Sequence, residues 1–225
     1  MSKRIGRIVV LVLGAAIVCT AAFASDDDAK KSQEGFVSLF NGKDLTGWKT
    51  HPDDKAVWEV KDGAIVGSGP AGHLFSERGD YQNFIFRIEA KINDGGNSGQ
   101  YFRCRFQKAF PTFYEAQINA THTDPIRTGS LYPHFNRKLT AEQKAKILIY
   151  EAPHKPDEWF TQEVTAMDNH ITIKVNGKQT VDFVDENRTS MKGHFAIQQH
   201  DPKSVVMVRK IEVKELPATE KQANP

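Results

Sequence analysis

Between residues 84 and 92 apolar and polar positions alternate: Phe84, Phe86, Ile88, Ala90 and Ile92 fall on one side, and Arg87, Glu89 and Lys91 join Ile85 on the other. A period of two is that of a strand with one buried face. Shorter runs of similar character surround two turn dipeptides. Residues 58–60 and 64–66 flank Asp62-Gly63, and residues 171–175 and 180–183 flank Asn176-Gly177. Asp-Gly and Asn-Gly supply the positive φ that two-residue turns need, so each set predicts a hairpin. Further strands are expected over 99–106, 112–119, 161–167, 194–200 and 205–216. Residues 140–149 have helical character, with Thr140 placed to cap the segment and Glu142 in its first turn. Many short strands with one short helical insertion predict an all-β sandwich or jelly roll.

The start of the chain has a different pattern. Lys3, Arg4 and Arg7 precede an apolar run over 8–23 that closes on Ala22-Phe23-Ala24. A basic start, a short apolar stretch and a small-x-small end make a secretory signal peptide over residues 1–24, cut after Ala24. A retained membrane anchor is the alternative, but the run is short for a spanning helix. The protein is therefore expected in the periplasm or outside the cell, with no membrane attachment after cleavage. Residues 25–34 and 217–225 are charged and small and read as a disordered lead-in and a flexible tail around one domain over 35–216.

Cleavage also changes the charge. The whole chain has 30 Lys and Arg against 28 Asp and Glu, a formal +2. The leader takes three basic groups and no acidic ones, leaving about −1, which does not support a basic nucleic-acid surface. Cleavage removes Cys19 and leaves Cys104 as the only thiol, so the core holds without an internal disulfide.

Strand parity then assigns faces. Over 101–106 it sets Tyr101, Arg103 and Arg105 on a polar face against Phe102, Cys104 and Phe106, with Cys104 a small buried hydrophobe. Over 113–119 Glu115 and Gln117 share a face, within reach of the arginines if the two strands pair. Near the C-terminus His194, Ala196, Gln198 and His200 form another donor-rich face. Each such face could simply be solvated. Together, however, Arg, Glu, Gln, Tyr and His suit a hydroxyl-rich ligand. Nucleotide loops of the GxGxxG and GxxxxGK[ST] types are absent. The eight histidines show no HExxH or HxH pair, so a divalent metal stays open, with His200-Asp201 and His122-Thr123-Asp124 as candidate ligands.

A series of motifs runs in order through this domain. It opens with Gly35-Phe36-Val37-Ser38-Leu39-Phe40-Asn41-Gly42-Lys43-Asp44-Leu45-Thr46-Gly47-Trp48. It continues with Trp58-Glu59-Val60, Gly96-Asn97-Ser98-Gly99 followed by Arg103, Tyr114-Glu115-Ala116-Gln117-Ile118 and Thr128-Gly129-Ser130-Leu131-Tyr132. Glu158-Trp159, Val175-Asn176-Gly177, Gln198-Gln199-His200 and Arg209-Lys210-Ile211 complete it. In these motifs the chain resembles the 3-keto-disaccharide hydrolase domain family, long catalogued as a domain of unknown function. The resemblance implies a concanavalin A-like jelly roll and action on glycosides whose C3 hydroxyl has become a ketone, as 3-keto-glucoside lyase or 3-keto-glucal hydratase. The chain departs from the family's usual pattern at Ala120, Phe160 and Asp201, and residues 136–149 look like an insertion.

An ordinary glycosidase needs two carboxyl groups across the scissile bond. Here the alternating positions of one strand read Glu115, Gln117 and Asn119, a single carboxylate. A 3-keto substrate relaxes the requirement, because the ketone acidifies the C2 proton and the C1 substituent can leave by β-elimination, followed by hydration. On that basis Glu115 is the expected general base or orienting acceptor, Arg103 the oxyanion stabiliser, and His200 the proton donor or a metal ligand. Gln117 is the expected hydroxyl binder, with Gln198, Tyr132 and Arg105 as further substrate contacts. The competing readings are a lectin-like carbohydrate-binding module without chemistry, and a partner-binding protein of the envelope. Oligomeric state is not legible.

Overall fold

The computed structural model describes residues 35–108 and 113–218. The expected leader and lead-in, and the tail beyond 218, lie outside the described residues. Thirteen strands are present among the described residues: β1 Val37–Ser38, β2 Trp48–Thr50, β3 Val57–Lys61, β4 Ala64–Ser68, β5 Gly72–Ser76, β6 Phe84–Ile92, β7 Ser98–Cys104, β8 Tyr114–Ile118, β9 Phe160–Met167, β10 His170–Val175, β11 Lys178–Val184, β12 His194–Gln199 and β13 Val206–Glu215. A 3-10 turn at Pro133–Phe135 and a helix, α1 at Ala141–Ile147, interrupt them. No described helix is long and apolar enough to cross a membrane.

The strands make two antiparallel sheets. One runs β11-β10-β9-β6-β13-β4-β3 with β1 also paired to β13, and the other β2-β5-β12-β7-β8. The core between them is set by the alternation in β6, whose Phe84, Phe86, Ile88, Ala90 and Ile92 are all fully buried. Phe195 of the second sheet stacks on Phe86 at 3.9 Å and meets Phe84 edge-on at 4.8 Å. Burying one such ring contributes roughly 1.5–3 kcal/mol. The two hairpins form as the turn dipeptides predict: φ is 49° and 73° at Asp62 and Gly63, and 50° and 79° at Asn176 and Gly177. Thr140 caps α1 through a reciprocal pair with Gln143, and Ile147 anchors it to the core.

Strand β7 departs from the simple alternation. His194 pairs with Cys104 and Ala196 with Tyr101, so Phe102 and Arg103 together oppose the single residue Phe195. That is a β-bulge, with Arg103 at φ 50°, and the extra residue reverses the side-chain parity beyond it. Cys104 is buried as expected, but with Phe75, Tyr101 and Ala196 on the outer face of the second sheet rather than beside Phe102.

The parity reading of Arg103 and Arg105 is thereby corrected. Arg103 is fully buried and turns away from Glu115, its guanidinium 5.7 Å from the Phe84 ring. Nε and Nη2 donate to the Gln82 carbonyl at 2.8 and 2.6 Å, and Nη1 donates to the carbonyls of Asp168 at 2.6 Å and Ser190 at 3.3 Å. One planar fork thus joins three connections at the end of the sandwich. Arg105 lies past the end of β7, exposed, with its guanidinium 5.3 Å from the Phe113 ring.

Candidate functional site

Cross-strand register lays out the outer face of the second sheet in rungs. Phe75 pairs with Ala196, Ala196 with Tyr101, and Tyr101 with Glu115. One rung along, His73 pairs with Gln198 and Gly99 with Gln117. Because same-face positions recur every second residue, Tyr101, Glu115, Gln117 and Gln198 converge. They floor a pocket of about 220 Å³. Asn97 and His200, at the start of β7 and the end of β12, close one end, and Asp124, Tyr132 and His134 form a wall. That wall is attached to β8 through main-chain bonds, Tyr132 N to Glu115 O at 2.8 Å and Gln117 N to Ser130 O at 2.9 Å.

Of the residues expected from the sequence, Glu115, Gln117, Gln198, Tyr132 and His200 come together here. Arg103 and Arg105 do not. His134 was not expected as a site residue, and Asp124 was expected only as a candidate metal ligand beside His122. Asn97 was quoted only as part of a turn-rich motif. These three sit on connections, where no periodicity reports direction. The proximity of His134 to the Tyr132 motif was the available signal.

Glu115 is the centre of the arrangement. Its side chain is almost wholly buried, Tyr101 Oη donates to Oε2 at 2.9 Å, and His134 Nδ1 stands 3.3 Å from the same oxygen. Burial pushes the carboxyl up to about 8, opposed by the Tyr101 hydrogen bond. Burial lowers His134, whose Nε2–H donates to the Phe113 carbonyl at 2.6 Å, so Nδ1 is left as an acceptor facing Glu115. At neutral pH the carboxyl proton therefore stays on Glu115, facing the unprotonated His134 Nδ1. Tyr101 stays protonated, raised by burial and then by Glu115, and accepts from Gln198 Nε2 at 3.0 Å. The other carboxylate, Asp124, accepts from Tyr132 Oη at 2.7 Å and the Ile126 N–H at 2.8 Å.

Three buried acceptors in this pocket, Asn97 Oδ1, Gln117 Oε1 and Gln198 Oε1, have no hydrogen-bond partner among the described residues. Such groups cost free energy unless a ligand donates to them. Hydroxyl groups of an uncharged ligand are suitable donors. A larger groove of about 430 Å³ lies on the first sheet. There Glu163 pairs with Arg87 at 2.8 Å and Lys174 at 3.8 Å, so its charges are already matched.

One group of described residues brings metal-type ligand atoms together, His122, His200 and Asp201, within 4.8 Å of one another. Their hydrogen bonds do not fit a metal. His122 Nδ1 accepts the Asp124 N–H at 3.1 Å and faces Asn97 Nδ2 at 3.4 Å. The ring proton is therefore on Nε2, the atom that would have to ligate. A ligating histidine shows the reverse, donating through its other nitrogen.

Known proteins agree with the fold and point to a family. A family model described as a 3-keto-alpha-glucoside-1,2-lyase-like domain matches residues 35–214. A 3-keto-disaccharide hydrolase of Bacteroides thetaiotaomicron is 32% identical over 79 residues, covering 31% of this chain and 27% of that relative. The chain thus aligns with about a quarter of the curated relative's length. Among solved structures, a provisionally named glycosyl hydrolase of Parabacteroides distasonis superposes with a TM-score of 0.61 at 24% identity, over 86% of this chain and 98% of that one. A carbohydrate-binding module of Bacillus subtilis gives 0.56 at 15% identity, over 75% of this chain and 96% of that one. These last two are likenesses of fold.

Proposed function

The chain belongs to the 3-keto-alpha-glucoside-1,2-lyase-like domain family, and from that premise we propose that it cleaves the glycosidic bond of 3-keto-glycosides, with Glu115 as the general base at C2. The observation that carries this is the buried Glu115 carboxyl, raised to about 8 and held between Tyr101 and His134. A carbon acid needs a stronger base than an ordinary surface carboxylate, and burial supplies one. A purely lectin-like module would gain nothing from burying this carboxyl.

A ketone at C3 makes the C2 proton removable. Glu115 takes it, and the negative charge moves toward the C3 oxygen. With Arg103 committed elsewhere, amide and hydroxyl donors replace it. One such donor is Gln117 Nε2, whose bond to the Ile126 carbonyl is long, at 3.4 Å. The unpaired acceptors on Asn97, Gln117 and Gln198 receive the sugar hydroxyls, and His200 faces the departing group. The pocket presents little net charge, which suits a neutral keto-sugar. The leader pattern at the N-terminus supports an exported protein that meets such sugars outside the cytoplasm.

Incubating the purified protein with a 3-keto-disaccharide tests the reading directly. Release of 3-ketoglucose or of an unsaturated ketosugar is the expected result. Binding of the sugar without any product would show a lectin instead.

Gly99 provides a finer check. A Cβ there would lie 2.1 Å from Glu115 Oε1 and 2.8 Å from its Cδ, so the carboxyl could not keep its place. Gly99→Ala is expected to fold, to melt a few degrees lower, and to lose roughly 10²-fold in kcat, the scale of a misplaced catalytic group. Thermal melts and steady-state rates on the same preparation check both parts.

A further inference from the structure

We infer that His200, oriented by Asp201 and His122, is the acid–base group for both the departing and the entering oxygen, so that one pocket completes elimination and the hydration that follows. The inference rests on the function proposed above and concerns the His200 side of the pocket that Glu115 also lines.

The observations are the hydrogen bonds around Asp201. Its Oδ1 accepts the backbone N–H groups of Lys203 at 2.7 Å and Ser204 at 3.1 Å, which fixes the carboxylate in the turn after β12. Its Oδ2 lies 2.8 Å from His200 Nδ1 and 3.7 Å from His122 Nε2. Burial pulls the Asp201 carboxyl upward, but the bonds from His200 and Lys203 outweigh it and hold the group below its usual range. Asp201 is therefore ionised and acts only as an acceptor. With the His122 proton on Nε2, as its Nδ1 contacts require, the carboxylate accepts from His200 Nδ1 and has the His122 N–H as a neighbour at 3.7 Å. His200 then keeps its proton on Nδ1, and Nε2 exchanges protons with the pocket that His200 lines. A carboxylate behind a histidine fixes its tautomer and stabilises the imidazolium when it forms. Asp201 and His122 are positioning residues in this sense. They act through His200.

His200 directly follows β12 and Glu115 lies in β8, with β7 between the two strands, and both side chains line the one pocket. In the elimination Glu115 takes the C2 proton, the C2–H electron pair becomes the C1–C2 double bond, the C1–O bond breaks, and His200 Nε2–H gives its proton to the leaving oxygen. In the hydration neutral His200 removes a proton from water as the water oxygen bonds to C1, and protonated Glu115 returns a proton to C2. Both groups finish as they began, and one water is consumed for each glycosidic bond cleaved.

The test compares two leaving groups in the Asp201→Asn variant. A 4-nitrophenolate leaves without protonation, whereas a sugar alkoxide needs an acid. With a 3-keto-disaccharide the variant is expected to lose roughly 10²-fold in turnover, the ordinary contribution of general acid catalysis, and to accumulate the unsaturated ketosugar. Nitrophenol release from the 3-keto-glucoside should fall far less, so the ratio of the two rates changes by a similar factor. Equal losses on both substrates, or none, would overturn the role of His200. Nitrogen-15 spectra of the imidazoles, assigned against His200→Gln, provide a readout independent of turnover. The wild type should show His200 protonated at Nδ1, and Asp201→Asn should lose that preference. A wild-type His200 protonated at Nε2 with Nδ1 bare, or stoichiometric zinc retained by the wild type and lost in Asp201→Asn, would sink the inference. A wild type inert toward every 3-keto-glycoside would refute the proposed function instead, whatever the tautomer.

Discussion

Glu115→Gln is expected to lose roughly 10³-fold in kcat on a 3-keto-glycoside while becoming the more stable protein at alkaline pH. Both effects come from the same burial. As a base Glu115 works only when ionised, and with the carboxyl raised to about 8 only roughly a tenth of the free enzyme is in that form at pH 7. The limb of the wild-type kcat/KM profile that reports this ionisation should therefore rise by up to tenfold per pH unit below 8.

The stability consequence has the opposite direction. The folded carboxyl titrates near 8 and the unfolded one near 4.5, so the stability associated with its proton is complete below about pH 4.5 and is lost as pH rises toward 8. Glutamine cannot ionise, and the single amide atom that replaces Oε2 keeps one of its two contacts, accepting from Tyr101 or donating to His134 Nδ1. Its advantage should be small at pH 4, grow through that window, and reach on the order of a few kcal/mol, or roughly 5–10 °C in Tm, at pH 9. Melting curves of the two proteins at pH 4, 6, 8 and 9 would reveal it. A constant difference across the series would contradict the raised carboxyl.

Arg103→Met is the second substitution with a large expected effect. Truncating the fork leaves the carbonyls of Gln82, Asp168 and Ser190 buried without their donor, a loss of about 3–5 kcal/mol for a network of this kind. Arg103→Lys should recover little of it, because a single ammonium cannot span three carbonyls on diverging connections. In both variants kcat measured below the melting transition should stay within about threefold of wild type. A selective fall in kcat with an unchanged melting curve would restore Arg103 to the chemistry.

The difference between the two arginine readings shows what the chain's pattern can and cannot convey. In β6 every buried position is announced by its spacing, and both hairpins are announced by residues that tolerate positive φ. Glu115, Gln117 and Gln198 were found on one face because β8 and β12 keep their period. In β7 an arginine adopts a left-handed φ that nothing in its side chain favours. The cause is tertiary: three carbonyls converge on its guanidinium, and their bonds offset the local strain. A bulge of this sort shifts the phase of the pattern without changing its letters. His134, and the place of Asp124 in the pocket wall, were hidden for another reason. Their placement depends on how the connection after β8 folds back along that strand, which no local period encodes.

That connection divides the pocket between two kinds of structure. The floor is written into sheet register, where a change in one rung disturbs its neighbours. The wall bearing Tyr132 and His134 belongs to a segment bonded along β8 and anchored through Ile147 of α1. Replacing this segment with one of another length or composition would reshape the side of the pocket opposite the β12 end while leaving the Glu115–Gly99 packing intact. In evolution and in engineering alike, new sugar preferences are therefore expected to arise by exchange of this segment, with the chemistry inherited unchanged from the sheet.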